Sequence, residues 1–375
     1  MAGGKATTET DGRLMAAALR LGRRNRGRTA PNPAVGAIIV READGGPIVV
    51  GRGWTAAGGR PHAETEALRE AGEAARGATA YVTLEPCSHH GKTPPCSGAL
   101  IAAGIARVVY AADDPDPRVS GKGRAMLEEA GVAVTAGILR DEAMRDMAGH
   151  FSMVARGRPH VILKLAVSAD GMIGRREGER MMITSPPALT MVQAMRCEVD
   201  AVAVGIGTVL VDDPRLTVRL PGLETRSPVR VIFDAAARLP LGSKLVATCR
   251  DVPVVAVTGP EADPGRKDAL GAAGVRLIEV GDGPGGVNLE AALRELGALG
   301  VARILVEGGS RIASTLVGAE LVDEVILFRA PVVVGADGVR ALDGYALSAI
   351  ERSPRYRQIE AASVGDDQMR RYWRV

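Results

Sequence analysis

The chain has 375 residues, of which 46% are apolar, 24% charged and 3% aromatic, and its formal net charge is +3. This length predicts two domains, because one domain usually takes about 100–200 residues. The small net charge and the scarcity of aromatic rings argue against a nucleic-acid partner, which would need a cationic surface and stacking platforms.

The sequence also argues against a membrane or secretory location. The first residues, Met1–Arg13, lack the apolar core of a signal peptide, and the longest apolar run, Ala201–Val211, is too short to span a bilayer. The four cysteines form no disulfide framework. We therefore expect a cytoplasmic protein with no membrane partner.

Strand and helix patterns alternate along the chain, which predicts an α/β fold with helices covering a sheet. In the first part, the predicted strands are Ala34–Val40, Pro47–Trp54, Ala78–Leu84, Ala106–Ala112 and Val132–Ile138, and the helices are Glu64–Gly72, Cys96–Gly104 and Gly123–Gly131. The pattern breaks at Ala155–His160, which predicts a domain boundary there. The expected domains are residues 1–155 and 156–375.

A second alternating series follows this boundary and predicts a second α/β domain. Its strands are His160–Ser168, Val199–Gly207, Pro228–Ala235, Val252–Gly259, Val301–Gly309 and Leu321–Gly335, and its helices are Pro186–Arg196, Ala291–Gly300 and Ser310–Ala319.

One cluster of residues in the first part carries a metal-site pattern. His62 and Glu64 begin a predicted helix, while Cys87 and Cys96 each follow a proline. Separately, such residues are usually helix caps or small buried groups. Together they favour three ligands for Zn²⁺ (His62, Cys87 and Cys96) and a non-ligand Glu64 that carries protons, as in zinc nucleobase deaminases.

The cysteine spacing departs from the short form of that pattern. Eight residues, Ser88–Pro95, separate Cys87 from Cys96, where the usual signature has two. The insertion contains His89, His90 and Lys92. These side chains could compete as metal ligands, or they could line the mouth of the site and meet a substrate phosphate.

Longer motifs resemble the bifunctional riboflavin-biosynthesis family. The segments "TAPNPAVGAIIV", "PHAE", "TLEPCSHHGKTPPC" and "DDPDPRVSGKG" are similar to its deaminase half, and "LKLAVSADGMI", "VGIGTVLVDDPRLTVR" and "ILVEGG" to its reductase half. The resemblance covers roughly residues 14–345. It implies a cytidine-deaminase-like α/β/α domain followed by a dihydrofolate-reductase-like α/β domain.

The family joins a diaminohydroxyphosphoribosylaminopyrimidine deaminase to a 5-amino-6-(5-phosphoribosylamino)uracil reductase. The resemblance thus implies a small-molecule phosphoribosylaminopyrimidine substrate, the cofactors Zn²⁺ and NADPH, and a homo-oligomer. It places Asn32 in a turn that contacts the pyrimidine, although an ordinary turn residue is an equal alternative. A second hypothesis is a deaminase whose C-terminal domain only binds a ligand or assembles the oligomer.

The reductase half has its own candidate residues. Gly205-Ile206-Gly207 is weak evidence for a Rossmann fold, whereas Gly308, Gly309 and Ser310 lie between a strand and a helix, where free N–H groups can bind phosphate. The resemblance implies Lys164, Val167, Thr208 and Asp212 at the cofactor, with Asp212 also catalytic, and Arg196, Leu216, Arg219 and Glu307 at the phosphoribosyl substrate.

The reductase half also departs from the family at several positions. Arg180 and Met182 stand where the family often has Ser and Trp, and Ala235 stands where it has Ser. Losing the Trp would remove a flat apolar wall near the nicotinamide, although a methionine can fill such a space.

Overall fold

The computed structural model describes residues 2–88, 94–175 and 181–375. The chain divides into two compact units, Met1–Gly157 and Arg158–Val375. The division lies two residues beyond the boundary predicted after residue 155. Within the described ranges, we find no helix with the length and apolar character that crossing a bilayer requires.

The first unit is a mixed sheet covered by helices. The strands are β1 (Gly36–Arg41), β2 (Ile48–Trp54), β3 (Thr79–Leu84), β4 (Arg107–Ala112) and β5 (Ala133–Ala136), in the spatial order β2-β1-β3-β4-β5. The helices are α1 (Ala2–Gly22), α2 (Ala63–Ala71), α3 (Cys96–Ala102), α4 (Lys122–Glu129), α5 (Arg140–Asp146) and α6 (Ala148–Arg156). β1 pairs antiparallel with β2 and β3, whereas β3, β4 and β5 are parallel because α3 and α4 form the crossovers between them.

The middle strands of this sheet are apolar along nearly their whole length. In β4 every residue after Arg107 is buried, as expected for a parallel strand covered on both faces. The core therefore consists of small aliphatic side chains such as Val82, Val108 and Leu100, which suits a chain with few aromatic residues.

Helix α2 lies unusually close to β2 because two glycines face it. A Cβ atom added at Gly53 would lie 2.0 Å from the carbonyl oxygen of Ala63, and one added at Gly51 would lie 2.2 Å from that of Ala67. Any side chain at these positions would push the helix away from the sheet. The contact is thus made by backbone atoms and methyl groups.

The second unit is built on a larger sheet. The strands are β6 (His160–Val167), β7 (Met172–Arg175), β8 (Ala201–Gly205), β9 (Val229–Phe233), β10 (Val254–Thr258), β11 (Arg276–Glu279), β12 (Asp282–Gly283), β13 (Gly286–Val287), β14 (Arg303–Val306), β15 (Glu324–Arg329), β16 (Gly338–Arg340), β17 (Tyr356–Val364) and β18 (Asp367–Arg374). The main sheet has the order β11-β10-β9-β8-β14-β6-β15-β18-β17, while β12 pairs with β13 and β7 with β16.

Helices cover both faces of this sheet. They are α7 (Pro186–Arg196), α8 (Ile206–Asp212), α9 (Lys244–Ala247), α10 (Pro264–Ala273), α11 (Leu289–Ala298), α12 (Ser310–Gly318) and α13 (Ser348–Glu351). Seven strands of the main sheet are parallel to one another, in the spatial order β11-β10-β9-β8-β14-β6-β15. Strand β18 pairs antiparallel with β15, and β17 pairs antiparallel with β18. The carboxyl ends of β9, β8, β14 and β6 therefore meet at one edge, which is where ligands bind in open α/β sheets.

The strand predicted at Leu321–Gly335 is too long. The structure ends this strand at Arg329, just before Pro331. Proline has no N–H to donate to a neighbouring strand, so the ladder cannot continue through it. The chain turns away there, and the carbonyl of Val332 instead accepts a hydrogen bond from the N–H of Ala169.

Candidate active sites

The first candidate site begins at the N-terminus of α2. His62 occupies the N-cap position with an extended backbone, yet its ring makes no capping hydrogen bond to the described residues. The ring is instead directed at two thiols, since His62 Nδ1 lies 3.4 Å from Cys96 Sγ and 3.9 Å from Cys87 Sγ. The helix start therefore positions the imidazole without using it as a cap.

The three predicted ligand atoms converge on one point. Nδ1 of His62 and the sulfurs of Cys87 and Cys96 all lie within 4.8 Å of one another. Tetrahedral zinc with ordinary Zn–N and Zn–S bonds would separate its ligands by about 3.6–3.8 Å. One nitrogen and two sulfurs at this spacing fit a zinc ion and leave a fourth position for water or substrate.

The ionisation of one of the two thiols, that of Cys87, also suits a metal. Hydrogen bonds from Cys96 and His62 to its sulfur lower the pKa of Cys87 to about 4, although burial opposes this shift. The hydrogen bond to Cys87 and burial raise the pKa of Cys96 well above its ordinary value. Cys87 is consequently a thiolate at neutral pH, which is the form that binds metal ions.

Glu64 lies beside this cluster and is almost fully buried. It follows His62 by two residues in the first turn of α2, and its carboxyl group interacts electrostatically with Cys87 and His62. Burial and then the Cys87 charge raise the pKa of Glu64 above its ordinary value. A carboxyl group with a raised pKa is suited to taking up and releasing protons near neutral pH.

Sequence reasoning missed two buried polar residues near this cluster. Glu85 and Ser97, which are 2% and 0% exposed, hydrogen-bond to backbone groups around the Cys87 segment. The available signal was a carboxylate directly after the apolar strand β3, since an isolated buried charge requires partners.

Asn32 has a defined structural partner. Its amide Nδ2 donates a 2.7 Å hydrogen bond to the carbonyl of Gly59 and so ties its turn to the segment leading into His62. His89, His90 and Lys92 of the insertion lie outside the described residues.

The second candidate site is an open cleft of about 1660 Å³ at the carboxyl edge of the second sheet. Ten of the candidate residues line it, and they are Lys164, Arg196, Thr208, Asp212, Leu216, Arg219, Glu307, Gly308, Gly309 and Ser310. Val167 is different: its side chain is fully buried in the core beneath the sheet and is not among the lining residues.

The glycines after β14 form the expected strand-to-helix turn. A Cβ atom at Gly308 would lie 1.9 Å from Cγ2 of Ile312, so the helix packs directly on this position. Gly309 is the N-cap of α12, and a Cβ atom placed on it would lie 3.7 Å from the Thr208 hydroxyl. The free N–H groups of the first turn of α12 and this hydroxyl therefore face the same part of the cleft.

Arg196 and Glu307 form a buried ion pair in the cleft wall. Nε and Nη2 of Arg196 donate to the two carboxylate oxygens of Glu307 at 2.6 and 2.8 Å, and Nη1 donates to the carbonyl of Thr217. Burial would raise the pKa of Glu307, but Arg196 holds it below its ordinary value. The guanidinium group that the resemblance placed at the phosphoribosyl substrate thus binds Glu307 in this structure.

This pair leads to a stability prediction. We expect Arg196→Ala to lower the free energy of unfolding by about 3–5 kcal/mol, because Glu307 would remain buried without its counter-charge. Urea unfolding followed by Trp373 fluorescence, in a Trp54→Phe background that leaves a single tryptophan, would measure the second unit alone.

The matched control is Arg219→Ala, which removes an exposed arginine from the same cleft. It should leave stability within about 0.5 kcal/mol. The double variant Arg196→Met/Glu307→Leu should recover most of the lost stability, since apolar replacements remove both charges. A loss below about 1 kcal/mol in Arg196→Ala would show that Glu307 is hydrated rather than buried.

Two further candidates lie within β6 and at the end of α8. Lys164 projects from β6, and burial lowers the pKa of its amine, while Glu307 opposes this shift and Arg196 adds to it. Asp212 is the last residue of α8 and is followed by Asp213 in a left-handed conformation with φ 38°. Met182 and Ala235 also line the cleft, whereas Arg180 lies outside the described residues.

Comparison with known proteins assigns both units. Residues 159–369 match the family model described as the RibD C-terminal domain, and residues 8–112 match that of the cytidine and deoxycytidylate deaminase zinc-binding region. The riboflavin biosynthesis protein RibD of Aquifex aeolicus is 38% identical over 96% of this chain and 97% of its own length. The Escherichia coli protein of the same name is 39% identical over 94% of this chain and 96% of its own. The chain belongs to the RibD family.

Solved structures of RibD proteins agree with this assignment. Acinetobacter baumannii RibD superposes with a TM-score of 0.85 at 34% identity, covering 98% of this chain and 99% of that one. A Thermotoga maritima protein superposes with a TM-score of 0.83 at 32% identity, covering 98% of this chain and 100% of that one. It is described as a diaminohydroxyphosphoribosylaminopyrimidine deaminase/5-amino-6-(5-phosphoribosylamino)uracil reductase.

The expectations drawn from the motifs are therefore confirmed for the family and for the fold class. RibD proteins are bifunctional riboflavin-biosynthesis enzymes, and this chain carries both halves, a zinc-binding deaminase region and a RibD reductase domain.

Proposed function

We propose that the first unit, expected over residues 1–155, hydrolytically deaminates 2,5-diamino-6-(5-phosphoribosylamino)pyrimidin-4(3H)-one. His62, Cys87 and Cys96 would hold the zinc ion, which lowers the pKa of a water molecule and so supplies a nucleophile at neutral pH. The convergence of these three ligand atoms beside the buried Glu64 carries the proposal.

Glu64 performs the proton transfers of this reaction. Its carboxylate takes a proton from the attacking water, whose oxygen bonds to the ring carbon that bears the amino group. The carboxyl group delivers this proton to the ring nitrogen. It then takes the second proton from the oxygen now bonded to the ring carbon and delivers it to the departing amine, which leaves as ammonia. Its raised pKa matches this exchange, because a group that both accepts and donates works best near the operating pH. Asn32 would contact the pyrimidine from its turn.

The second unit, expected over residues 156–375, would then reduce the ribosyl group to a ribityl chain. Bound NADPH would supply a hydride to C1 of the ribose, and the ring oxygen would take up a proton as the ring opens. Gly308, Gly309, Ser310 and Thr208 would bind the cofactor's phosphates, with Lys164 along its length. Val167 would contact the cofactor only through its backbone, because its side chain is buried. Asp212 would orient or protonate the ribose.

The substrate would be bound in this cleft by charged side chains at its phosphate and by an apolar side chain at its phosphoribosyl group. Arg219 is exposed at the cleft and so is open to the substrate phosphate, whereas Arg196 would act together with Glu307. Leu216, in a left-handed conformation with φ 54°, would pack against the phosphoribosyl group. We also propose that the enzyme is a cytoplasmic homo-oligomer.

A paired assay tests the whole proposal. Zinc-loaded protein is given the diaminopyrimidine substrate, and ammonia release and NADPH oxidation are recorded in the same sample. Oxidation should lag behind ammonia release, because the deaminated product is the substrate of the second step. Ammonia release without NADPH oxidation would restrict the activity to the first unit.

The two units should be separable. We expect a fragment ending at Arg156 to fold, bind about one zinc per chain and release ammonia, because the whole predicted ligand set and Glu64 lie within the first compact unit. Circular dichroism, elemental analysis and ammonia release would check this. A folded, zinc-bound but inactive fragment would mean that catalysis requires residues from outside it.

The second unit should prefer NADPH over NADH. Hydrogen bonds to a charged group contribute about 1.5–3 kcal/mol, so we expect Arg219→Ala to weaken binding of the phosphoribosyl substrate roughly 10- to 150-fold and to leave NADPH binding nearly unchanged. Asp212→Asn should slow NADPH oxidation and leave ammonia release unchanged. Titration by the cofactor's own fluorescence measures the binding, and no NADPH binding would favour a ligand-binding or assembly role for this domain.

A further inference from the structure

The position of Cys87 relative to Cys96 needs a structural cause. In a short Cys-x-x-Cys motif a single turn of chain holds both sulfurs, but here eight residues separate them. A loop of that length does not by itself hold its ends at a fixed distance. Yet the N–H of Cys96 donates to Cys87 Sγ at 3.3 Å, so the two residues are held next to each other.

Ser97, in the first turn of α3, supplies one part of the cause. Its side chain is fully buried, and its hydroxyl lies 3.1 Å from the carbonyl oxygens of both Pro86 and Cys87. Its N–H also donates to the carbonyl of Cys87 at 3.1 Å. The backbone of the first cysteine is therefore fixed to the helix that begins with the second.

Glu85 supplies the other part from the opposite side. Its buried carboxylate accepts hydrogen bonds of 3.1 Å from the N–H groups of Gly121 and Arg124, at the start of α4. A Cβ atom at Gly123 would lie 2.0 Å from the carbonyl oxygen of Pro86, so this helix packs directly on the Cys87 segment. Glu85, although distant in sequence from α4, thus caps the N-terminus of this helix and holds the Cys87 segment against it.

We propose that Glu85 and Ser97 are positioning residues that preorganise Cys87 for the metal. They replace the constraint that a short cysteine spacing would provide, by fixing the Glu85–Cys87 segment between the N-termini of α3 and α4. The inference rests on the proposed zinc site. Both residues act through Cys87, and neither is one of the proposed ligands.

Cobalt titration of the full-length apoprotein tests this inference, because a cobalt–thiolate absorption band reports metal bound to cysteine without any assay of activity. We expect Ser97→Ala to weaken Co²⁺ binding about 10- to 100-fold, the usual cost of removing a group that orients a metal ligand. Glu85→Gln should shift binding in the same direction, because its amide group must face an N–H donor.

Tyr81→Phe is the matched control. It also removes a buried hydroxyl from the first unit, but this hydroxyl donates to Asp11 in α1 rather than to the Cys87 segment. Its thermal stability should fall while its Co²⁺ affinity stays at the wild-type value. If Ser97→Ala does not fold, the Co²⁺ affinity of Glu85→Gln is compared with that of Tyr81→Phe instead.

The possible results separate the two proposals. Unchanged Co²⁺ affinity in Ser97→Ala, or an equal loss in Tyr81→Phe, would overturn the positioning role and leave the zinc site intact. A wild-type protein without a thiolate band would overturn the ligand set itself.

Discussion

Cys87→Ser is expected to abolish zinc binding and ammonia release together, taking the metal content from about one ion per chain to none. A serine hydroxyl is not ionised at neutral pH, whereas the Cys87 thiol, with a pKa of about 4, is a thiolate. Two remaining ligands cannot complete a tetrahedral zinc site with one open position. Elemental analysis of purified protein and an ammonia assay measure the two losses.

The control for this substitution is Cys197→Ser, which changes a buried thiol of the second unit. It should retain both zinc and ammonia release. Wild-type protein that contains no zinc and still deaminates would contradict the metal site as a whole.

Glu64→Gln is expected to lower the rate of ammonia release without lowering the zinc content. The amide keeps the shape of the side chain but cannot take a proton from water, and a positioned acid–base group usually contributes about 10²–10⁴-fold to a rate. We therefore expect ammonia release to fall by about that factor while zinc content stays at about one per chain. Steady-state ammonia release with elemental analysis of the same sample checks both.

Glu66→Gln, in the same turn of α2, is the matched control. Glu66 forms a surface ion pair with Arg69, three residues along the helix, and such pairs contribute only about 0.2–0.5 kcal/mol. Its loss should leave deamination unchanged. If Glu64→Gln retained most of the activity, a different group would have to carry the protons.

The sequence was most informative where chemistry demands particular residue types. His62, Glu64, Cys87 and Cys96 were recognisable because few other functions require a histidine, a carboxylate and two thiols in that order, and the structure brings all four together. Helix α2 and its end at Gly72 were equally predictable, because glycine is the residue that most readily adopts the positive φ found at this helix end.

The sequence was least informative where long-range packing decides the structure. The edge strand β17 and its neighbour β18 were not predicted, because no long apolar run marks either of them. The pairing of Arg196 with Glu307 was also not predicted, since the two residues are distant in sequence and only the sheet brings them together. The burial of the Val167 side chain was not predicted either, because the elements packed on each face of the sheet decide which side chains of a strand are covered.

The close approach of α2 to β2 has a mechanical consequence. A helix that rests on side chains can shift by a fraction of an ångström as those side chains change rotamer. Gly51 and Gly53 leave no side chain between the helix and the strand, so the helix that begins beside His62 and carries Glu64 rests on a rigid support. The start of α2, with His62 and Glu64, is thereby held at a fixed distance from the sheet.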